Sequence, residues 1–282
     1  MEEPFKNFLE WFGNIYSPVS ARVYRSSLEN FRRWFEGTNG EPLSADAVLT
    51  SDLRAYQDHL ARLGRKPGTI KTQMKHVRAW LKFSGQKTAF PKPPTVQGGP
   101  PKALDRLAQR RLIRAVERGG KARDIALVRL LLSCGLRVSE AVSARVSDLD
   151  IGERHGVLTV RGKGNKYREV PVPPEARRAL RAWLAEREKK HLSSDFIFPS
   201  QDGGRLTPRA AWDVVKKYSK AAGLRCSPHT LRHTAATNMI RAGTDIVAVA
   251  AFLGHANIST TAIYTKPSLE SLMEAAERGE MV

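Results

Sequence analysis

Three things are scarce in this chain of 282 residues: cysteine, long apolar runs and, over one long stretch, acidic side chains. The two cysteines, Cys134 and Cys226, lie far apart without a CxxC or zinc-type spacing, so neither a disulfide framework nor a structural zinc site is expected. No apolar run approaches the ~18 residues that a transmembrane helix needs. The acidic start Met1-Glu2-Glu3-Pro4 is unlike the basic start of a secretion signal, so we expect a protein of the reducing cytoplasm.

The charge balance is strongly basic, with 47 Lys and Arg against 28 Asp and Glu, a formal net charge of +19 and a pI of about 10.3. Such an excess favours a polyanionic partner, most commonly nucleic acid, with an anionic membrane surface as the alternative. Between Asp58 and Asp105 no acidic residue occurs, whereas lysine and arginine recur throughout that stretch.

One helical pattern inside this stretch carries two rows of side chains. The apolar row recurs at the spacing of one helix face and consists of Ile70, Met74, Val77 and Leu81. The basic row follows one residue later, roughly 100° around the helix, and consists of Lys71, Lys75, Arg78 and Lys82. A row of cations without interspersed acids predicts a surface that binds DNA phosphates, and a merely solvated helix face is the alternative.

Two regions with helical periodicity are joined by a stretch that has none. Residues 1–86 contain four helical patterns, one of them entered through Ser17-Pro18, and are predicted to form a small all-helical domain. Residues 87–102 are rich in proline and glycine and are predicted to be a linker, which either follows DNA or makes no contacts. Residues 103–282 form the second predicted domain. Its tail, residues 266–282, carries an amphipathic stretch. The alternatives for this tail are docking on a neighbouring subunit, folding back on its own domain, or fraying.

The second domain begins with a strongly apolar helical pattern that ends at Gly135. Arg137 follows at the start of a short helix, with Glu140 one turn away; an arginine in such a place is ordinarily a surface or ion-pairing residue. Further on, β-branched runs flank Gly162-Lys163-Gly164-Asn165-Lys166 and predict a β-hairpin. Lys163 would be unobstructed at its tip, although an ordinary charged turn is the alternative.

The C-terminal third contains the densest group of chemically useful side chains. Ser227-Pro228 predicts a helix start, which places His229, Arg232 and His233 on the first turns. Two histidines four residues apart raise the possibility of a zinc helix. That motif requires a glutamate after the first histidine, where this chain has Thr230, and Arg232 would put a positive charge beside the metal. No metal is therefore expected.

Taken in order, these residues resemble the motifs of the tyrosine recombinase (phage integrase) family, and most closely its Xer-like branch. The resemblance is carried by Gly135-Leu136-Arg137-Val138-Ser139-Glu140, Lys163, His229-Thr230-Leu231-Arg232-His233, Leu253-Gly254-His255, and Tyr264 nine residues after His255. It implies that Arg137 and Arg232 contact the scissile phosphate, which planar guanidinium groups suit, and that Glu140 helps to hold Arg137.

The same resemblance implies roles for the remaining residues. Tyr264 would be the nucleophile that forms a 3′-phosphotyrosyl link, and Lys163 would give a proton to the leaving 5′-hydroxyl. A phenol is mostly protonated at neutral pH, so a base must assist, and His229 is our candidate. His255 would orient a phosphate oxygen or share the proton handling. Neither a metal nor any other cofactor is expected.

The fold and partners implied by the resemblance complete the expectation. The fold would be mainly α with a small β-hairpin or sheet (α+β), in which a SAM-like four-helix DNA-binding domain and a catalytic domain form a C-shaped clamp. The partner would be double-stranded DNA with a specific recombination site, bound by a homotetramer on two duplexes, with a Holliday junction intermediate and exchange of C-terminal tails. Action would be at the nucleoid, in chromosome dimer resolution or in mobile-element integration or resolution. A type IB topoisomerase-like enzyme and a non-catalytic DNA-binding module are the alternatives.

Overall fold

The computed structural model describes residues 5–95, 103–162 and 167–254. Contacts between Cα atoms divide the chain into two compact units, Met1–Gly98 (unit 1) and Gly99–Val282 (unit 2). The described residues are mainly helical and include a three-stranded antiparallel sheet, which confirms the predicted mainly-α class with a small sheet. Within these ranges, no helix is both long and apolar enough to cross a membrane.

The described part of unit 1 is helical. Its helices are α1 (Lys6–Ile15), α2 (Pro18–Asn39), α3 (Thr50–Arg62) and α4 (Pro67–Phe83). The predicted helix start at Ser17 is confirmed, since its hydroxyl accepts a hydrogen bond from the Ser20 amide at 3.3 Å and Pro18 occupies the first helical position. Aromatic rings fill the centre of the unit, where the Phe31 and Tyr56 ring centroids lie 4.9 Å apart, both side chains being buried.

The described part of unit 2 surrounds one buried helix. In chain order its elements are α5 (Arg106–Gly119), α6 (Ala122–Cys134), α7 (Val138–Ser143), a 3-10 turn (Val146–Asp148), β1 (Leu149–Ile151), β2 (Gly156–Arg161), β3 (Tyr167–Pro171), α8 (Pro174–Lys189), α9 (Pro208–Ala221), α10 (Pro228–Arg241) and α11 (Ile246–Leu253). Helix α6 packs against α5, α8, α9 and α10, and its Leu127, Leu130 and Leu131 are fully buried. Its predicted burial on several sides is therefore confirmed.

The predicted hairpin is also confirmed. Strands β2 and β3 pair antiparallel, with Arg161 opposite Tyr167 and Leu158 opposite Val170. Leu158 and Val170 are buried in the core of unit 2. The third strand, β1, pairs with β2 on its other side and was not predicted, because three residues are too few to show the alternation of a strand. Helices α8 and α9 were not predicted either.

Candidate active site

Helix α7 begins directly after a glycine turn that the local packing requires. Gly135 ends α6 with φ +58°, and a Cβ there would lie 2.7 Å from Leu253 Cδ2 and 3.2 Å from Ala235 Cβ. Only glycine meets both the backbone conformation and the close approach. Two residues later, the backbone amide of Arg137 donates to Glu140 Oε2 at 2.8 Å. Glu140, in the first turn of α7, thus satisfies the amide of the residue that precedes the helix.

The carboxylate of Glu140 is the centre of a cluster of three arginines. Arg137 Nη1 donates to Glu140 Oε1 at 2.8 Å, and Arg168 donates from Nη1 to Oε1 at 3.1 Å and from Nη2 to Oε2 at 3.0 Å. Arg232 Nη1 lies 3.9 Å from Glu140 Oε2. The two arginines that the sequence predicts as phosphate ligands therefore share one acidic partner.

The Glu140 side chain is 4% exposed, yet it stays ionised. Burial alone would raise the pKa of this carboxyl, but hydrogen bonds and charge from Arg168 and Arg137 outweigh burial, and the pKa falls below its ordinary value. A permanently charged carboxylate is a firm acceptor for guanidinium groups, because charge-assisted hydrogen bonds are the strong ones. Glu140 can thus hold the cluster over the whole physiological pH range.

The same three arginines also bind the last carbonyl groups at the end of α11. Arg168 Nε donates to Phe252 O at 3.1 Å, Arg232 Nη2 to Leu253 O at 2.7 Å, and Arg137 Nη2 to Gly254 O at 3.1 Å. These carbonyls lie at the negative end of the helix, which favours nearby cations. Three consecutive carbonyl groups are thus each held by a different arginine.

Arg232 is the most deeply placed of the three. It lies on α10, is 4% exposed, and also donates from Nη1 to Gly135 O at 2.6 Å. Through Gly135 O and Leu253 O it ties the end of α6 to the end of α11. Arg137 is different, since 43% of its side chain is exposed. Of the two predicted phosphate ligands, Arg137 therefore presents the larger surface to solvent.

The histidines of α10 form a pair. His229 Nε2 and His233 Nε2 lie 2.8 Å apart, and their ring centroids are separated by 4.1 Å. Burial, and secondly the charge of Arg232, lowers the pKa of His229 below its ordinary value of 6.5. At neutral pH His229 is therefore uncharged and has a nitrogen lone pair with which to accept a proton.

Three of the predicted catalytic residues, Lys163, His255 and Tyr264, lie outside the described residues. The predicted short helix at 259–264 and the tail at 266–282 also lie outside them. Arg168, in contrast, is a site residue that the sequence analysis missed. The available signal was strand alternation, which places Arg168 on the same face of β3 as the buried Val170.

The basic row of α4 in unit 1 has the exposure that a DNA-binding surface needs. Its four members, Lys71, Lys75, Arg78 and Lys82, are all exposed, and the apolar row beside them is buried. The Arg78 guanidinium lies 4.4 Å from the centre of the Phe90 ring, a cation–π contact that limits its movement. Over the three described ranges, no group of three His, Cys, Asp or Glu side chains is placed to hold a metal ion.

Known proteins resemble this chain in sequence. Residues 102–270 match the Phage integrase family. Over 285 residues the chain is 34% identical to Tyrosine recombinase XerA of Thermococcus kodakarensis, with 99% of this chain and 95% of that protein covered. Over 274 residues it is 34% identical to Tyrosine recombinase XerD of Pseudomonas putida, with coverage of 90% and 89%.

Solved structures share the fold. The XerH site-specific recombinase bound to its difH substrate in a pre-cleavage complex superposes with a TM-score of 0.77 at 24% identity, covering 93% of this chain and 80% of that one. The Tn1549 transposon integrase in complex with transposon right end DNA gives 0.75 at 21% identity, covering 97% of both chains. The family match covers more than half of the chain, and the two relatives align with 90% or more of it. The chain therefore belongs to the phage integrase family as an Xer-type tyrosine recombinase, which cuts and rejoins DNA at specific sites.

Proposed function

We propose that this chain exchanges DNA strands through a 3′-phosphotyrosyl intermediate in which Tyr264 is the nucleophile. The phenolic oxygen attacks the scissile phosphorus, and the bond between phosphorus and the 5′-oxygen breaks. His229 accepts the phenolic proton, Lys163 gives a proton to the 5′-oxygen, and His255 orients a phosphate oxygen or shares the proton transfers. The new ester retains the energy of the broken bond, so resealing needs no nucleotide cofactor.

Arg137 and Arg232 have the task of stabilising the phosphate. Attack builds negative charge on the non-bridging oxygens, and guanidinium groups match that geometry with parallel N–H donors without losing their protons. Charges that the fold already holds in place stabilise the developing charge without having to reorganise at the moment of reaction. Arg137 is exposed enough to reach a phosphate, and Arg232 adds its positive charge from the interior.

One observation carries the proposal: Arg137 and Arg232 meet at the Glu140 carboxylate and at neighbouring carbonyl groups of the α11 end. His255 follows Gly254 directly in the chain, and Tyr264 comes nine residues later. Motifs separated by almost a hundred residues of sequence thus converge at the end of α11. Two arginines in separate pockets would have offered no common phosphate site.

We propose that unit 1 binds DNA as a SAM-like four-helix domain, with the basic row of α4 on the phosphates. Residues 1–86 would be this domain, residues 87–102 the linker, and residues 103–282 the catalytic domain, the two domains closing around the duplex as a C-shaped clamp. The support is the exposed basic row, the excess of positive charge, and related proteins whose structures were solved with DNA.

Strand exchange requires a second attack. The 5′-hydroxyl of a partner strand displaces Tyr264 from the phosphotyrosyl link, so bonds are conserved and a Holliday junction forms. We propose a homotetramer on two duplexes, with the tail at 266–282 exchanged between subunits, acting in the cytoplasm at the nucleoid. Chromosome dimer resolution and mobile-element integration or resolution both fit this chemistry.

The experiment uses a duplex selected by binding from a random-sequence library and then nicked near the cleavage site, which traps the covalent adduct. Wild-type protein should form an adduct that Tyr264→Phe does not form, although the variant keeps its affinity for DNA. Tyr16→Phe, a change of an exposed tyrosine in unit 1, is the control and should leave the adduct unchanged. An adduct that survives Tyr264→Phe would identify another nucleophile.

The products separate the remaining functions. Two differently labelled duplexes should give recombinant strands that join both labels. A type IB topoisomerase-like enzyme would rejoin only the original strand, and a non-catalytic binding module would form no adduct. The recombinase relatives, aligned over nearly the whole chain, favour neither alternative.

A further inference from the structure

Arg168 is the one arginine of the Glu140 cluster that the proposed mechanism does not use. Its guanidinium makes three hydrogen bonds, two to the Glu140 carboxylate at 3.0 and 3.1 Å and one to the Phe252 carbonyl at 3.1 Å. Its side chain is 16% exposed, compared with 43% for Arg137. It therefore faces the protein and has its acceptors there.

Position 254 is fitted to this arginine. A Cβ on Gly254 would lie 2.7 Å from Arg168 Nη1, 2.8 Å from its Cζ and 3.0 Å from its Nε. The guanidinium plane thus occupies the space where any other residue at 254 would place its side chain. Arg168 is consequently packed against the last residue before His255 as well as hydrogen-bonded to the end of α11.

The bidentate contact of Arg168 also limits the hydrogen bonds that Glu140 can accept from the Arg137 side chain. Because Arg168 donates to both carboxylate oxygens, Arg137 pairs with Oε1 alone through its side chain and uses its other arm on Gly254 O. Without Arg168, Glu140 would be free to take Arg137 as a parallel two-bond partner, the geometry that carboxylates and guanidinium groups favour. The guanidinium of Arg137 would then rotate away from its present place.

We propose that Arg168 is a positioning residue for the cleavage reaction: it holds Glu140 and the end of α11 so that the guanidinium of Arg137 is held in its place. It does not touch the reacting phosphate. The proposal rests on the proposed function, in which Arg137 binds that phosphate. The Arg168 side chain also connects β3 to α7 and α11.

The chain offers a matched control in Arg129. It also lies in unit 2, is 17% exposed, and pairs with two carboxylates, those of Glu117 and Glu175. Replacing Arg129 removes a similarly buried arginine whose ion-pair partners, Glu117 and Glu175, lie outside the Glu140 cluster. Any loss common to the two positions measures general stability, and the excess at 168 measures positioning.

The decisive variant is Arg168→Lys, with Arg129→Lys beside it. Lysine keeps the charge but cannot span two carboxylate oxygens and a carbonyl at once. Three quantities are measured on the full chain: the Kd for the selected duplex, the single-turnover rate of adduct formation on its nicked form, and Tm. We expect Arg168→Lys to slow adduct formation by about 10- to 100-fold, as supporting contacts of a site commonly do, with Kd within about twofold of wild type. Arg129→Lys should leave the rate unchanged.

A double variant tests the route through Glu140. Glu140→Gln and Arg168→Lys should each slow adduct formation, and together they should slow it by less than the product of the two factors, since both break the same contact. Multiplying factors would overturn this route. A wild-type rate in folded Arg168→Lys, an equal loss in Arg129→Lys, or failure of Arg168→Lys alone to fold would overturn the positioning role. Such results would leave the Tyr264→Phe outcome untouched, so the two proposals fail separately.

Discussion

The Nε2 atoms of His229 and His233 lie 2.8 Å apart on adjacent turns of α10. At that distance one nitrogen carries the hydrogen and the other accepts it, so the pair cannot bind a second proton at this contact without breaking the hydrogen bond. Burial and the charge of Arg232 act in the same direction on His229, whose pKa lies below 6.5.

The rate of adduct formation should fall at acidic pH, where the imidazole of His229 gains a proton, and the midpoint of this fall should lie below 6.5 because the pKa of His229 is lowered. Single-turnover rates would be measured between about pH 5 and 8, the range in which a histidine titrates. His229→Gln should remove this acid limb and slow the reaction by roughly 10²- to 10⁴-fold. His155→Gln, a change of an exposed histidine paired with Asp150, is the control and should keep the wild-type profile. A profile unaltered by His229→Gln would remove His229 as the base.

The basic row of α4 gives a prediction about salt. Replacing Lys71, Lys75, Arg78 and Lys82 together by alanine should weaken DNA binding and flatten its salt dependence. Each lost phosphate contact should reduce the slope of log K against log salt by about 0.9. The control replaces four exposed lysines of unit 2, Lys189, Lys190, Lys216 and Lys220, and so makes the same change in net charge. Equal slopes for the two quadruple variants would mean that α4 is an ordinary solvated helix face.

The sequence predicted α4 well because its apolar row and its basic row arise from different physical causes but indicate the same helical periodicity. The apolar row is periodic since it packs in a core, and the basic row is periodic since it shares the next face. Helix α8 was not predicted, because the residues of its buried face are not all apolar. Its buried stripe runs through Ala176, Leu180 and Trp183 and ends in Arg187, which is also buried and donates to the carbonyls of Ser194 and Ile197. A buried arginine interrupts the apolar pattern that identifies a helix.

The candidate site likewise contains residues that the sequence predicted and one residue that it did not. Arg137, Glu140 and Arg232, which the structure brings together, could be singled out from the sequence because they lie in short motifs that resemble those of a known family. Arg168 could not, because its partners lie 28 and 84 residues away and only the fold brings them together. Strand alternation with Val170 indicates that Arg168 faces the core, but it does not indicate which acceptors Arg168 meets there.

Buried His76 in unit 1 gives a prediction about stability. Ser27 Oγ donates to Val23 O at 3.0 Å and so must accept from His76 Nδ1, which lies 2.8 Å away. Burial, and secondly the charge of Lys75, lowers the pKa of His76 from 6.5 to about 4. The folded chain therefore stays neutral at this position while the unfolded chain takes up a proton. Stability is complete above pH 6.5 and is lost as the pH falls from 6.5 towards 4, by up to about 1.4 kcal/mol per pH unit.

Urea unfolding of the full chain, followed through NMR signals of unit 1, would measure this loss at pH 7 and pH 5. His76→Gln cannot take up the proton, so its unfolding free energy should change less between the two pH values than that of wild type. The hydroxyl of Ser27 keeps its bond to Val23 O in this variant, which limits the cost at pH 7. Identical pH dependence in the two proteins would show that His76 titrates normally in the folded state.

The last prediction separates backbone strain from side-chain displacement at the end of α11. Gly254 has φ +66° and Gly243, just after α10, has φ +82°, so an alanine at either position suffers a left-handed backbone costing about 1–2 kcal/mol. Only at 254 would the new Cβ collide with Arg168; at 243 it meets nothing within 4 Å. Both variants should therefore lose the stability that the strained backbone costs, and Gly254→Ala should lose more than Gly243→Ala because displacing Arg168 breaks its hydrogen bonds to Glu140 and Phe252 O. Gly254→Ala should in addition slow adduct formation in the nicked-duplex assay, because it displaces the guanidinium that holds Glu140 and the α11 end. Equal cleavage rates in the two alanine variants would mean that Arg168 can move without disturbing Arg137.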